Sequence, residues 1–479
     1  MKVIKNYLYN VGYQLLSMMV PIITVPYISR TLGPYCSGIN SYTNSWVTFF
    51  YLFGQMGITL YGNRQIAYFY GDLKKRSKSF WEIEALQIFT SSFALVAYLI
   101  TILFFIKKYQ LFFLLQALWI VAIGLDISWY FMGLEDFKKT VTRNVLVKIV
   151  TLILIFTLVH TSKDLWKYIL LLGIAQLGGA LSLWPYLKKS VVWVKFKYWR
   201  PFKHFYPALL LFIPTITTQV YLVVNRIMLG AMESQAAVGE FDYADKLIKM
   251  VLAVVTSLGT VMLPHVASQF AKGDMDSVNK SLYSSFSFIN FLTIPLMFGV
   301  MAISSKFAPW FLGSQYSTTG IIMFVEAPAI LFIAWSSTTG NQYLMPINKI
   351  QAFTLSVTVG AITNILANLI LIKFAGGVGA ALATVFSEIT TATIQLVYIK
   401  NQIHLLKLFT GMWKYVVSSL IMFFIVHYMT DVLKMTALTL IIEVVIAILL
   451  YLGLLLLLRA PIIKEAEIFL KTKDKRRRK

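Results

Sequence analysis

Fourteen apolar runs, each long enough to cross about 30 Å of hydrocarbon, follow one another along this chain with only short polar breaks between them. They cover residues 7–30, 38–60, 81–106, 110–133, 144–160, 165–187, 206–231, 239–263, 281–303, 318–344, 350–372, 378–399, 413–431 and 436–458. A chain of that pattern is expected to be an all-α integral membrane protein, because a helix satisfies its own backbone polar groups where water is absent. Composition agrees: 58% of residues are hydrophobic and 13% charged, against roughly a quarter charged in soluble domains. The first run follows Lys2 and Lys5, is too long for the apolar core of a cleaved signal and lacks a small-residue cleavage pattern, so it is expected to stay as the first span.

An even number of spans puts both termini on one side, and the cations say which. With the N-terminus inside, 31 lysines and arginines fall in inner segments and nine in outer ones, the bias of cytoplasmic loops. Both termini are therefore expected in the cytoplasm of a cell-membrane protein. The net charge of +23 is then a topology and anionic-lipid signal rather than a nucleic-acid one. Lys148, Lys246 and Lys249 are left over, inside the spans.

The composition also excludes chemistry. Cys36 is the one cysteine, the five histidines form no close pair, and no phosphate-binding Walker loop is present, so no metal, cofactor or ATP hydrolysis is expected. Outer loops are short, the longest being about 304–317, which leaves no room for the external domain of a membrane polymerase or ligase. No catalytic residue is assigned and the chain is not expected to be an enzyme.

Self-similarity appears at a nearly constant offset. ISRTLG at 28–33 is echoed by NRIMLG at 225–230, GINSYT at 38–43 by GEFDYA at 239–244, and Gly71-Asp72 by Gly273-Asp274. Two pseudo-symmetric six-helix lobes are implied, 1–190 and 206–400, related by an axis along the membrane normal. A basic aromatic linker, 191–205, joins them, with Trp193, Phe196, Tyr198 and Trp199 among lysines, a pattern suited to an anionic lipid surface. Two further helices at 401–459 and a basic tail at 460–479 complete the chain.

The stretch GEFDYADKLIKM at 239–250 is the costliest, since each charge at a bilayer centre costs about 2.5–3.5 kcal/mol. Asp242, Asp245, Lys246 and Lys249 are spaced i, i+3, i+4, i+7 and share one helical face, each acid four residues ahead of a lysine. Two readings stay open: intrahelical salt bridges near a helix end, or a helix lining a wet cavity whose lysines meet anionic cargo. The repeat sets Ser41, Asn44, Ser45 and Thr48 against the same four positions, giving a second polar face and favouring the cavity. Candidate cavity residues are Arg30, Arg226, Lys148, Lys246 and Lys249 for anionic groups, and Tyr42, Asn44, Asn225 and Tyr243 for sugars. The acids Asp126, Asp242, Asp245 and Glu326 complete the set, and Glu443 is read as structural. Pro21, Pro26, Pro214 and Pro328 are read as helix interruptions, and GGVGAAL at 376–382 as a close-packing patch.

KNYLYNVGYQLL with PYISRTLG, then GITLYGNRQIA, and above all LDISWYFMGLEDFKK at 125–139 resemble the Wzx-type oligosaccharide flippases of the multidrug/oligosaccharidyl-lipid/polysaccharide (MOP) exporter superfamily. The resemblance implies the MATE-like MOP fold with a cationic central cavity. It also implies movement of an undecaprenyl-diphosphate-linked oligosaccharide from inner to outer leaflet of a bacterial membrane, for capsule or exopolysaccharide, with polysaccharide polymerase and glycosyltransferases as partners. Motif residues carried over are Arg30, Asp126, Trp129, Gly133 and Glu135. Competing readings are a teichoic-acid or lipid II-type precursor flippase, a cation-coupled multidrug antiporter on the same fold, and a membrane polymerase or ligase.

Overall fold

A computed structural model describes residues 2–256 and 266–463, and among these every regular element is helical. Eight helices are long and apolar enough to cross a bilayer, or nine if one bent pair is a single span, among the described residues. The chain is a multi-pass membrane protein. It divides into two compact units, one running to Gly239 and the other from Glu240 onward. The tail KTKDKRRRK and the end of the expected span 239–263 lie outside the described residues.

In the first unit, α1 spans Lys2–Gln55 and takes in the expected span 7–30 and residues 38–55 of the span 38–60, whose last residues turn into the next helix. Its one non-helical residue is Gly33, at φ 74° and ψ 172°, a conformation that only glycine adopts freely. The break falls there because Pro34 follows, and a proline disfavours helical backbone in the residue before it. Pro21 and Pro26, read as interruptions, lie inside the helix instead. The elements that follow are α2 (Ile58–Tyr68), α3 (Leu73–Ile100), α4 (Gln110–Gln116), α5 (Leu118–Gly124), α6 (Ser128–Gly133), α7 (Phe137–Leu158), α8 (Leu165–Leu181) and α9 (Phe205–Met232). Helix α10 (Gln235–Thr256) crosses the division.

Three boundaries differ from the apolar pattern. α3 starts at Leu73 rather than 81 because Asp72 caps it, accepting from Lys75 N at 3.0 Å. α7 starts at Phe137 rather than 144, which takes Arg143 from a loop into the span. The expected span 110–133 is three helices, broken at Ala117 and at residues 125–127. The second break exposes carbonyls that lipid cannot satisfy, and side chains from elsewhere reach them. Gln87 Nε2 donates to Ile123 O at 2.5 Å and to Asp126 O at 3.0 Å, and Trp184 Nε1 donates to Leu125 O at 2.8 Å.

This break aims Trp129 into the unit's core, where Phe80 stacks on it at 5.6 Å. A Cβ on Gly62 would sit 2.5 Å from the Trp129 ring, and one on Gly133 would sit 2.6 Å from Asn63 O. The stretches GITLYGNRQIA and LDISWYFMGLEDF are thus two sides of one contact, α2 against α6. Glu135 closes the following turn at φ 54°.

The second unit holds α11 (Met275–Leu312), α12 (Ser317–Glu326), α13 (Ala329–Ser336), a π-helical turn (Ser337–Leu344), α14 (Ile350–Ile399), α15 (Met412–Val432) and α16 (Ala437–Leu457). α12 and the segment from Ala329 to Leu344 form the bent pair, turned by 47° at Pro328. α14 contains both expected spans 350–372 and 378–399, broken at Gly376. Within GGVGAAL, a Cβ on Gly379 would lie 2.1 Å from Leu371 O, so the patch packs backbone on backbone.

The repeat has visible causes. Asp274 caps α11 through Ser277 N at 3.0 Å as Asp72 caps α3. Backbone donation from Lys75 holds the Asp72 carboxyl below its usual range, and the hydrogen bonds from Ser277 do the same to Asp274. Gly38 and Gly239, aligned by the repeat, touch: a Cβ on either would strike the other segment's backbone, Gln235 O at 1.5 Å or Pro34 O at 2.1 Å.

Candidate functional site

Helix α10 forms both salt bridges, the first of the two readings left open by the spacing. Lys246 Nζ lies 2.5 Å from Asp242 Oδ2, and Lys249 Nζ lies 2.6 Å from Asp245. The two sides of each pair are not equally buried. The Asp242 and Asp245 side chains are 4% and 6% exposed, whereas those of Lys246 and Lys249 are 44% and 37% exposed. The acids sit inside the unit and each binds a lysine ammonium, while the rest of each lysine side chain is partly exposed. Lys246 Nζ also lies 5.3 Å from the ring centre of Tyr243, and that ring meets Tyr316 edge-on at 5.3 Å. One helix face therefore carries two ion pairs fixed in place, with the lysine side chains on its partly exposed side and a tyrosine beside them.

The remaining candidates are distributed between the units. Arg30, Tyr42, Asn44, Asp126, Lys148, Asn225 and Arg226 belong to the first, and Glu326 joins the α10 residues in the second. Arg30 is exposed on α1, while Asn225 is buried on α9 beside half-buried Arg226. Tyr42 lays its ring on Gly230, where a Cβ would come within 2.4 Å. Asn44 donates to Gln116 Oε1 at 3.3 Å, and Gln116 in turn reaches Asn40 Oδ1. Lys148 is half-buried on α7, and Glu326 is buried at the end of α12, just before the bend. Glu443 is buried on α16.

Asp126 has a partner that the sequence did not offer. Its Oδ1 accepts from Ser128 N at 3.0 Å, opening α6, and faces Arg143 Nη1 at 3.2 Å. The guanidinium also donates to Gly179 O at 3.3 Å and to Asn144 Oδ1 at 2.7 Å, so Arg143 ties α6, α7 and α8 together. Arg143 was hidden because the charge itself displaced the apparent start of the span.

An acid inside the expected span 81–106 was also passed over, because its partners lie far away in the chain. Glu82, fully buried on α3, accepts from Arg200 N at 2.9 Å and meets Lys203 Nζ at 2.6 Å and His204 Nε2 at 3.2 Å. His204 Nδ1 lies 2.6 Å from the Tyr61 hydroxyl. Neutral His204 donates to Glu82 and accepts from Tyr61, and burial holds its imidazole below the ordinary value. This knot fastens the linker to α3. Beside it, Trp81, Trp193, Phe196 and Trp199 form an aromatic cluster, with Trp193 and Phe196 largely exposed. Among the described residues no cluster of histidine, cysteine or acid side chains suited to a metal ion is found.

Comparison with known proteins places this geometry. The chain is 20% identical over 405 residues to the Escherichia coli K12 protein named "Putative O-antigen transporter", covering 83% of this chain and 96% of that one. Its fold is similar to that of the lipid II flippase MurJ in an inward closed conformation, with a TM-score of 0.72 at 17% identity over 94% of this chain and 98% of that one. It is also similar to an inward-facing multidrug resistance MATE family transporter of the MOP superfamily, with a TM-score of 0.65 at 10% identity over 81% and 95% of the two chains. The expected MOP fold is the fold observed. Residues 3–270, more than half the chain and including the α2–α6 contact and the charged face of α10, match the family described as "Polysaccharide biosynthesis protein", and the chain belongs to that family.

Proposed function

We propose that this protein is a flippase that carries a polyprenyl-diphosphate-linked oligosaccharide from the inner to the outer leaflet of a bacterial cell membrane. It does so by alternating access, with two lobes, 1–190 and 206–400, moving about a hydrated cationic cavity and both termini in the cytoplasm. The observation that carries this reading is the pair of partly exposed lysines, Lys246 and Lys249, each anchored by a buried acid on a helix of a membrane protein of polysaccharide biosynthesis. A diphosphate headgroup with its sugars crosses hydrocarbon only at prohibitive cost. Two anchored ammonium groups offset the phosphate charge, and the buried Asp242 and Asp245 keep them oriented without competing at the surface. Arg30, Arg226 and Lys148 supply further positive charge, and Tyr42, Asn44, Asn225 and Tyr243 supply ring faces and amides for sugars. The role is carriage without bond-making, so no catalytic group is assigned.

The cargo class follows the likeness to the O-antigen transporter, which covers nearly the whole length of both chains. Repeat units for capsule or exopolysaccharide fit it, delivered by glycosyltransferases and consumed by a polymerase. A teichoic-acid or lipid II-type precursor shares the same diphosphate chemistry and is the second reading. The test is transport by the purified chain in proteoliposomes containing a fluorescent undecaprenyl-diphosphate oligosaccharide. Faster exposure of the label than in empty vesicles is expected; equal rates would overturn the reading.

A further inference from the structure

Each unit buries a tryptophan against a phenylalanine that precedes it by 49 residues: Phe80 with Trp129, and Phe286 with Trp335, at 5.6 and 5.5 Å between ring centres. One helical turn beyond the phenylalanine stands a polar residue on the same face. In the second unit that residue is Asn290, and its Oδ1 accepts from Trp335 Nε1 at 2.7 Å, with both groups buried. In the first unit it is Glu84. Glu84 is 1% exposed, and among the described residues neither of its carboxyl oxygens has a donor, nor does Trp129 Nε1 have an acceptor. A similar phenylalanine–tryptophan pairing thus carries an amide–indole bond in one unit, while in the other the Glu84 carboxyl and the Trp129 indole are both without a hydrogen-bond partner among the described residues.

The difference in residue type explains the difference in bonding. An amide carries no charge and holds one hydrogen bond in every state. A buried carboxylate without donors is among the costliest groups a protein interior holds, whereas the neutral acid sits there with far less penalty. Nor is a cation on hand to pay for ionisation. On α3 itself, Lys78 and Glu82 face each other, and Arg76 is held by Tyr70 O and Ser190 O. From the linker, Lys203 and His204 are bound to Glu82. From the α5–α6 turn comes Asp126, whose charge acts on Glu84 and which already holds Arg143 of α7. α1 brings Tyr51 near Asp126 and Arg143; α2 brings Tyr61, bonded to His204, and Arg64, turned to Tyr68.

We infer that Glu84 is a proton-exchange site built into the first unit, with the indole of Trp129 as the donor its ionised form takes up. In the arrangement seen, the acid is neutral and makes no bond. When its O–H bond breaks and the proton passes to water, the carboxylate accepts from Trp129 Nε1 as Asn290 accepts from Trp335. The step moves one proton and makes one hydrogen bond, and it needs α3 and α6 to shift against each other. Use of this proton in transport rests on the flippase reading; the site itself does not.

Infrared spectra of the full-length chain in nanodiscs, wild type against E84Q, test the site. A carboxylic-acid carbonyl band is expected that E84Q removes and that fades in the wild type as pH is raised. Identical wild-type and E84Q spectra at every pH would overturn the proposal, as would a Glu84 band that never fades. E84N is the second variant: it reproduces the pairing of the other unit, so it is expected to fold with a Tm no lower than wild type. In proteoliposomes, wild-type flipping is expected to respond to an imposed pH gradient, by at most about tenfold per pH unit for one proton, and E84N to show no response. An E84N response equal to wild type would overturn the inference. Absence of flipping by the wild type would defeat the flippase reading, and the infrared result would still decide the site.

Discussion

Residues 41–48 of α1 and 242–249 of α10 hold equivalent places in the repeat, and each carries polar groups on one helical face. They satisfy them in opposite ways. On α1 the hydroxyls fold back onto their own helix, Ser45 donating to Ser41 O at 2.8 Å and Thr48 to Asn44 O at 2.7 Å, as hydroxyls in helices do when nothing else claims them. On α10 the groups are ions: the acids turn inward, and the lysines lean outward across one turn. The first stripe is polar in composition yet largely spent on its own backbone. The second holds its charges in ion pairs with partly exposed lysines. Equivalent positions therefore do not imply equivalent roles, and the charged groups are concentrated on one of the two helices.

The largest effect is expected where the two stripes begin. Gly38 and Gly239 leave no space for a methyl group, and the atoms in the way are backbone. G38A is expected to cost about 3 kcal/mol or more, since overpacking against backbone relaxes poorly, and to show as loss of monodisperse protein in gel filtration. The next largest effect separates the inward acid from the outward base. K246Q removes the lysine partner of the buried Asp242 carboxylate and is expected to cost about 2 kcal/mol. Adding D242N should recover most of that loss in a double-mutant cycle of thermal unfolding.

The third effect concerns pH, through the knot at the linker. His204 is held below its ordinary value of 6.5 in the folded protein, so the unfolded chain binds the proton first. Stability is then expected to rise with pH between the lowered folded value and 6.5, and to fall on acidification through that window. The slope is at most about 1.4 kcal/mol per pH unit for one group. H204N, measured by Tm against pH, should flatten it. The smallest effect sharpens the comparison from the neutral side. S45A and T48A remove only self-satisfied hydroxyls and are each expected to stay within about 0.5 kcal/mol of wild type.

Much of this was legible in the sequence because its causes are local. Apolar length fixed most helices, the i, i+4 spacing of Asp242 with Lys246 and Asp245 with Lys249 gave the salt bridges, and the Gly-Asp echoes marked two N-caps. What was not legible depends on residues far apart in the chain. Nothing in LDIS breaks a helix by itself; the break at 125–127 persists because Gln87 and Trp184 reach its carbonyls. Arg143 fell in a loop because its charge lowers local hydropathy, and Glu82 drew no reading at the edge of the span 81–106, whereas Asp126 in one case and Lys203 in the other pair with them. Glu84 stood unnoticed in an apolar run, and only comparison with Asn290 and Trp335 in the other unit gives it meaning.

The measurement that bears most directly on the proposed function replaces all four charges of α10 while keeping their shape: D242N/D245N/K246Q/K249Q, assayed for flipping in proteoliposomes beside the wild type. Because each acid is removed with its lysine, neither ion pair is left half-made and the protein should elute as a single species. The expected result is a fall in flipping rate of at least about tenfold, the loss of about 1.4 kcal/mol of interaction with the anionic headgroup. A folded quadruple variant that flips its cargo at the wild-type rate would contradict it.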